Sequence, residues 1–133
     1  MSDVPVPIDI QLHTRSKTLE LAYADQQHFQ LSCEYLRVYS PSAEVKGHGR
    51  GQEVLQTGKI DVGISAIHPV GNYAIQFVFS DGHDSGIFSW RYLYELCQHQ
   101  QAYWQDYLER LRVAGASRDP QVQVVQVFGG DKQ

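Results

Sequence analysis

Phe79-Ser80-Asp81-Gly82-His83-Asp84-Ser85-Gly86-Ile87-Phe88-Ser89-Trp90 is the stretch whose reading decides the fold. Just before it, Tyr73, Ile75, Phe77 and Phe79 recur at every second position. That is the pattern of a strand with one buried face. Asp81-Gly82 then reads as a tight turn, because glycine accepts positive φ and aspartate bonds its own backbone two residues on. Ile87-Phe88 returns antiparallel, and Ser89 stands where it can N-cap a helix. A hairpin thus runs straight into a helical segment.

The chain on either side follows the same grammar. Ile8, Ile10 and Leu12 alternate with Asp9, Gln11 and His13. After the polar turn at Arg15-Ser16-Lys17, Leu19, Leu21 and Tyr23 alternate again, which predicts a hairpin. A second turn at Asp25–His28 leads to a short strand around Phe29–Leu31, and Ser32 can cap a short helix with Leu36 on its inner face. From Ser40 to Gly58 the chain carries Pro41 and four glycines and reads as one long loop. Val62, Ile64 and Ile67 resume an extended pattern, with a turn at Pro69–Asn72. After Ser89, Leu93, Leu96, Cys97, Tyr103, Trp104, Tyr107, Leu108 and Leu111 recur at helical spacing. Gln98–Gln101 divides them into two helices, and Gly115 is placed to end the second. Trp90 is expected to anchor the core and Trp104 to pack on the inner helical face. Beyond Pro120, Gln121–Phe128 alternates like a strand, and residues 119–133 are expected to form a mobile tail or a weak edge strand. The class is α+β: an antiparallel β-sheet built from hairpins and covered by C-terminal helices, in one domain over residues 1–118.

Composition narrows the function. At 133 residues and 42% apolar, the chain can bury a core without disulfides. A net charge of −4 gives no basic excess for a broad nucleic-acid footprint. No apolar run is long enough to span a bilayer, and the start Met1-Ser2-Asp3-Val4-Pro5 lacks a signal-peptide pattern. The expectation is a cytoplasmic protein that binds neither nucleic acid nor membrane. Cys33 and Cys97 form no CxxC pair and read as reduced, partly buried thiols. One chain is two thiolates short of an iron–sulfur cluster.

The residues with chemistry lie in two segments. Asp81, His83 and Asp84 either hold a divalent metal or exchange protons, or they simply shape a tight turn. Carboxylate neighbours are expected to favour the protonated imidazole of His83, which suits an anion or a proton-linked switch. His48 and Arg50 sit in Lys46-Gly47-His48-Gly49-Arg50-Gly51, where glycines let backbone amides approach an anion; the alternative is a solvated loop. The candidate ligand-binding set is therefore Asp81, Asp84, His48 and Arg50, with His83 as candidate metal ligand. Tyr35, Tyr39, Trp90, Tyr92, Tyr94, Tyr103, Trp104 and Tyr107 are read mainly as core, with some left for a partner surface. There is no Gly-x-Ser-x-Gly elbow, Walker loop or His-Glu-x-x-His.

Several motifs in order resemble one family. They are Leu36-Arg37 followed by Ser40-Pro41-Ser42, Gly71-Asn72-Tyr73-Ala74, Phe79-Ser80-Asp81-Gly82-His83, and Gly86-Ile87-Phe88-Ser89-Trp90 with Tyr92-Leu93. Trp104, Tyr107-Leu108 and Gly115 continue the match. Over residues 8 to 118 the chain resembles the gamma-butyrobetaine-hydroxylase-like N-terminal domain family, catalogued as a domain of unknown function. The resemblance implies a domain that stands alone in bacteria, precedes the oxygenase domain of some 2-oxoglutarate-dependent hydroxylases, or is appended to iron–sulfur-scaffold ATPases. In the hydroxylases it is a small zinc-binding module with three cysteine ligands and the histidine of the Asp-Gly-His turn. Those cysteine positions fall on Ser40, Ser42 and about Val45 here, and only His83 matches. Zinc or iron is thus implied with an incomplete ligand set, and the oxygenase catalytic domain is absent. The expectation is a small non-catalytic binding or accessory module with a protein partner, a metalloenzyme or an iron–sulfur assembly component. The alternative is a metal-binding protein centred on His83.

Overall fold

The computed structural model describes residues 4–47 and 53–122. His48, Arg50 and the alternating segment from 123 onward lie outside the described residues. The first half builds β1 (Asp9–His13), β2 (Thr18–Ala22) and β3 (His28–Ser32), followed by α1 (Cys33–Val38) and the single turn α2 (Ala43–Lys46). The second half builds β4 (Ile64–Val70), β5 (Ala74–Phe79) and β6 (Ile87–Ser89), then α3 (Trp90–Gln98) and α4 (Gln100–Ala114). All strand pairing is antiparallel. The α+β class and the expected hairpins are present, divided into two three-stranded sheets ordered β1-β2-β3 and β4-β5-β6. The split falls between β3 and β4, where α1 and α2 lie.

Local sequence explains most boundaries. Ser32 Oγ accepts from the Tyr35 amide at 3.0 Å and opens α1; Ser89 Oγ accepts from the Tyr92 amide at 3.1 Å and opens α3. His99 separates α3 from α4, and Gly115 ends α4 in the left-handed region at φ 65°. Two expectations need correction. The segment 40–58 is not a continuous loop, because α2 interrupts it. The Pro69–Asn72 turn is shorter than expected, because β4 continues through Pro69 to Val70. β4 lies at a sheet edge, where a proline without an N–H is tolerated.

Register places the alternating apolar residues of both sheets in one core. Leu19 and Leu21 pair with Leu31 and Phe29, while Ile75 and Phe77 pair with Phe88 or Ile67. Leu19, Leu21, Leu31, Phe77, Phe79 and Phe88 join Leu36, Leu93 and Leu96 in that core. Trp90 and Trp104 are half-buried against it, and the Trp90 indole donates to the Asn72 carbonyl at 2.9 Å. Buried tyrosines keep their hydroxyls bonded: Tyr35 donates to the Leu96 carbonyl at 2.7 Å and Tyr107 to the Gln56 carbonyl at 2.7 Å. Cys33 and Cys97 are buried and free, and burial raises both thiol pKa values, that of Cys97 to about 11. Protonated thiols of this kind are poor metal ligands.

α1 is buried along its whole length, including Glu34 and Arg37. Each charge meets a partner from far along the chain. Arg118 donates two hydrogen bonds to Glu34, at 2.8 and 2.7 Å, and its guanidinium lies over the Trp104 ring. Arg37 donates to Asp81 at 2.9 Å and to Gln56 at 3.0 Å, and Lys59 adds a bond to Asp81 at 2.7 Å. Partial burial alone would raise the Asp81 pKa. The bonds from Lys59, the His83 amide and Arg37 outweigh it and hold the carboxyl at about 2.

Two outcomes test this account. Arg118→Ala strands the buried Glu34 carboxylate and should cost about 3 kcal/mol in urea unfolding, whereas a chain ending at Asp119 should keep the amide spectrum of residues 8–114. A loss below about 1 kcal/mol would remove the clamp from the fold. Asp81, with its depressed pKa, stabilises the native state above the unfolded value of about 3.9 and loses that contribution as pH falls toward 2. Asp81→Asn should therefore lower stability at pH 7 by on the order of 2 kcal/mol and flatten the pH dependence between about 4 and 2.

Candidate functional site

The site grows from the Asp81-Gly82 turn. Gly82 takes φ 90°, and the Gly82 amide donates back to the Phe79 carbonyl at 2.9 Å. The Phe79 amide in turn donates to the His83 carbonyl at 2.9 Å, so backbone bonds close the turn at its base. Asp81 Oδ1 accepts from the His83 amide at 3.3 Å. These bonds turn the imidazole inward, where its side chain is 3% exposed.

Three side chains from a distant segment meet that ring. The chain leaves α1 at Tyr39, and Ser40 follows with its amide bonded to the Arg37 carbonyl. Ser40 Oγ lies 2.8 Å from His83 Nε2, and Ser42 Oγ lies 3.3 Å from the same nitrogen. Glu44, in α2, places a carboxylate oxygen 2.9 Å from His83 Nδ1. The carboxylate accepts only, so Nδ1 carries the proton and a neutral Nε2 receives a serine hydroxyl. Gly86 completes the enclosure: a Cβ there would sit 2.2 Å from Ser40 Oγ, so only glycine allows this approach.

The expected protonation of His83 is reversed. Burial is the largest influence and lowers its pKa; the Arg37 guanidinium lowers it further, against smaller opposite effects of Glu44 and Asp81. The sequence showed the flanking carboxylates but not the enclosure or the buried cation. Asp81 faces Arg37 and Lys59 through its other oxygen. Asp84 is exposed, its carboxylate has no partner among the described residues, and only its backbone carbonyl is used, by Gln76. Glu44 is the residue that sequence reading missed, since nothing in its local pattern links it to position 83.

A four-ligand zinc or iron site does not fit these donors. Ser40 and Ser42 supply hydroxyls, Val45 supplies a buried aliphatic group, and Nε2 is already committed to the hydroxyls. Among the described residues no group of three or more His, Cys, Asp or Glu side chains is placed to hold a metal ion.

Beside this network opens a cleft of about 260 Å³, lined among others by Tyr39, Ser40, Lys46, Tyr92, Tyr103 and Arg110. Its tyrosine hydroxyls are bonded: Tyr92 donates to the Tyr39 carbonyl at 2.6 Å, Tyr39 to the Tyr103 carbonyl at 2.6 Å, and Tyr103 to the Glu95 carboxylate at 2.5 Å. Arg110 donates to the Tyr39 hydroxyl at 3.2 Å. The Lys46 ammonium stands 4.9 Å from the centre of the Tyr92 ring. Tyr39, Tyr92, Tyr103 and Tyr107, read mainly as core, thus line the cleft.

No helix among the described residues is long and apolar enough to cross a membrane. Among curated proteins, none matches the chain. Two solution structures determined by NMR are similar, each at 50% sequence identity. One has a TM-score of 0.79 and a match over 94% of this chain and 98% of that one. The other has a TM-score of 0.77, with 96% of each chain covered. A crystal structure of a protein of unknown function in the DUF971 family, from Acidithiobacillus ferrooxidans, matches at 39% identity and a TM-score of 0.57, over 68% of this chain and 90% of that one. The family model described as gamma-butyrobetaine hydroxylase-like, N-terminal, matches residues 10–94, from the first strand into α3. With that match spanning both sheets and the His83 turn, the chain belongs to the gamma-butyrobetaine hydroxylase-like N-terminal family.

Proposed function

We propose that this domain is a small binding or accessory module whose ligand or partner segment enters the tyrosine-lined cleft beside His83. The observation that carries the reading is the cleft itself: about 260 Å³, walled by tyrosines whose hydroxyls are all hydrogen-bonded, with Lys46, Arg110, Glu53 and Glu95 on its lining. Concave sites with aromatic walls and a few convergent polar groups are the usual form of ligand sites. The family to which the chain belongs is named for a domain that precedes a hydroxylase. A metalloenzyme or an iron–sulfur assembly component is accordingly the partner class we favour, and a cellular interior the setting. The module's contribution is recognition, and metal does not hold it together.

Two measurements test this. Isotopically labelled protein titrated with 2-oxoglutarate, as a small dicarboxylate probe, should show saturable amide shifts at Tyr39, Ser40, Val45, Lys46 and Tyr92. Shifts confined to β1 or β3, or none at millimolar probe, would remove the cleft as the binding site. Untagged protein should melt within about 2 °C of the same temperature with and without a strong chelator, because a metal-linked fold loses several kcal/mol when stripped. A fall of about 10 °C would restore a metal to the fold.

A further inference from the structure

The cleft beside His83 carries charges of both signs in equal number. Lys46 and Arg110 line it together with Glu53 and Glu95. Two of the four are engaged by the protein. Arg110 donates to Asp106 at 3.1 Å and to the Tyr39 hydroxyl at 3.2 Å, and Glu95 accepts from the Tyr103 hydroxyl at 2.5 Å. The other two are free to meet a ligand. Among the described residues the Lys46 ammonium meets only the Tyr92 ring, and the Glu53 carboxylate has no hydrogen bond or ion pair. Both are brought to the cleft by the backbone. The Val54 amide donates to the Val45 carbonyl at 2.8 Å, and Glu53 and Lys46 are the residues that adjoin this bond on the two segments. The Tyr92 ring, 4.9 Å from the ammonium and fixed by its own hydroxyl, keeps that charge at the wall.

Charge balance decides what such a site can take. An ion of one sign meets as many like charges as unlike ones. A molecule with an ammonium and a carboxylate can offer each to an unsatisfied group of the opposite sign. Much of the remaining lining is aliphatic or aromatic, from Val38, Val45, Val54 and the tyrosine rings, and this suits an apolar body between the charges. A space of about 260 Å³ admits a small molecule. Taking the cleft as the binding site, on which this rests, we propose that its ligand is a small zwitterion, an amino acid with an apolar or aromatic side chain. Its carboxylate pairs with Lys46 and its ammonium with Glu53, and its side chain lies against the tyrosine rings. Arg110 and Glu95, bonded to tyrosine hydroxyls, hold the walls in place.

The test compares three probes on the whole labelled protein at about pH 6, where an α-amino group is charged. L-phenylalanine carries both charges, N-acetyl-L-phenylalanine only the anion, and L-phenylalanine amide only the cation. L-phenylalanine should give saturable amide shifts at Tyr39, Lys46, Val54 and Tyr92, with a Kd about fivefold below that of either analogue, as expected for one partly exposed ion pair. The variants should separate the two charges. Lys46→Gln should weaken L-phenylalanine to the level of the amide and leave the amide unchanged. Glu53→Gln should weaken it to the level of the N-acetyl analogue and leave that analogue unchanged. Both side chains are exposed, so neither change disturbs the core. Aromatic adhesion alone would not produce this crossed pattern. Equal affinity for the three probes overturns the proposal, as does a Lys46→Gln protein that loses the amide or a Glu53→Gln protein that loses the N-acetyl analogue. Cleft shifts with 2-oxoglutarate but none with millimolar L-phenylalanine would leave the cleft as the binding site and remove the zwitterion. Silence of the cleft to both probes would remove both.

Discussion

Everything in this domain is arranged around a helix that has no exposed side. α1 is six residues long and buried throughout, yet it carries a glutamate and an arginine. Burying an ion without a partner costs several kcal/mol, so each charge must be met where the chain can bring a counter-charge. For Glu34 that is Arg118, beyond the last helix; for Arg37 it is Asp81, in the turn that carries His83. The two requirements tie the first third of the chain to its middle and to its distal third. They also explain why the segment after α4 is held close: the Gly58 and Ile60 amides donate to the Ser117 and Arg118 carbonyls on that same path.

The position of His83 follows from this constraint. Asp81 cannot serve Arg37 without drawing its turn against the end of α1, and that brings the next side chain but one under Ser40 and Ser42. The imidazole is enclosed as a consequence, and its enclosure rather than its carboxylate neighbours decides its charge. The same enclosure excludes the zinc chemistry that the resemblance suggests. A hydroxyl bonds well to imidazole but is a weak ligand for zinc, so serines at two of the ligand positions turn a coordination site into a hydrogen-bond network. The network locks the turn through both ring nitrogens.

Much of the architecture was legible in the residues. Period-two alternation in β2 and β5, the Asp-Gly turn, and the serines at 32 and 89 are local signals, and each acts through its own backbone neighbourhood. The family was legible too, because its motifs are short, ordered and carried by turn and cap residues. α2 was not, since four residues give no period to detect. Neither was the division into two sheets, which depends on what the central segment does in three dimensions. Lys17 and Gln26 take positive φ without being glycine, at 58° and 69°, and no residue-type rule announces such positions.

What the sequence by itself determined were the elements, their caps, the α+β class and the family, because those rest on interactions within a few residues of one another. Only the tertiary structure decided which charges pair, which histidine nitrogen meets which oxygen, and that Glu44 belongs to the site at all. Ser40, Glu44 and His83 span more than forty positions, and their meeting is set by the burial of α1 and by the absence of a Cβ at Gly86. Chemistry of that kind depends on distances of about 3 Å between residues that no local pattern connects.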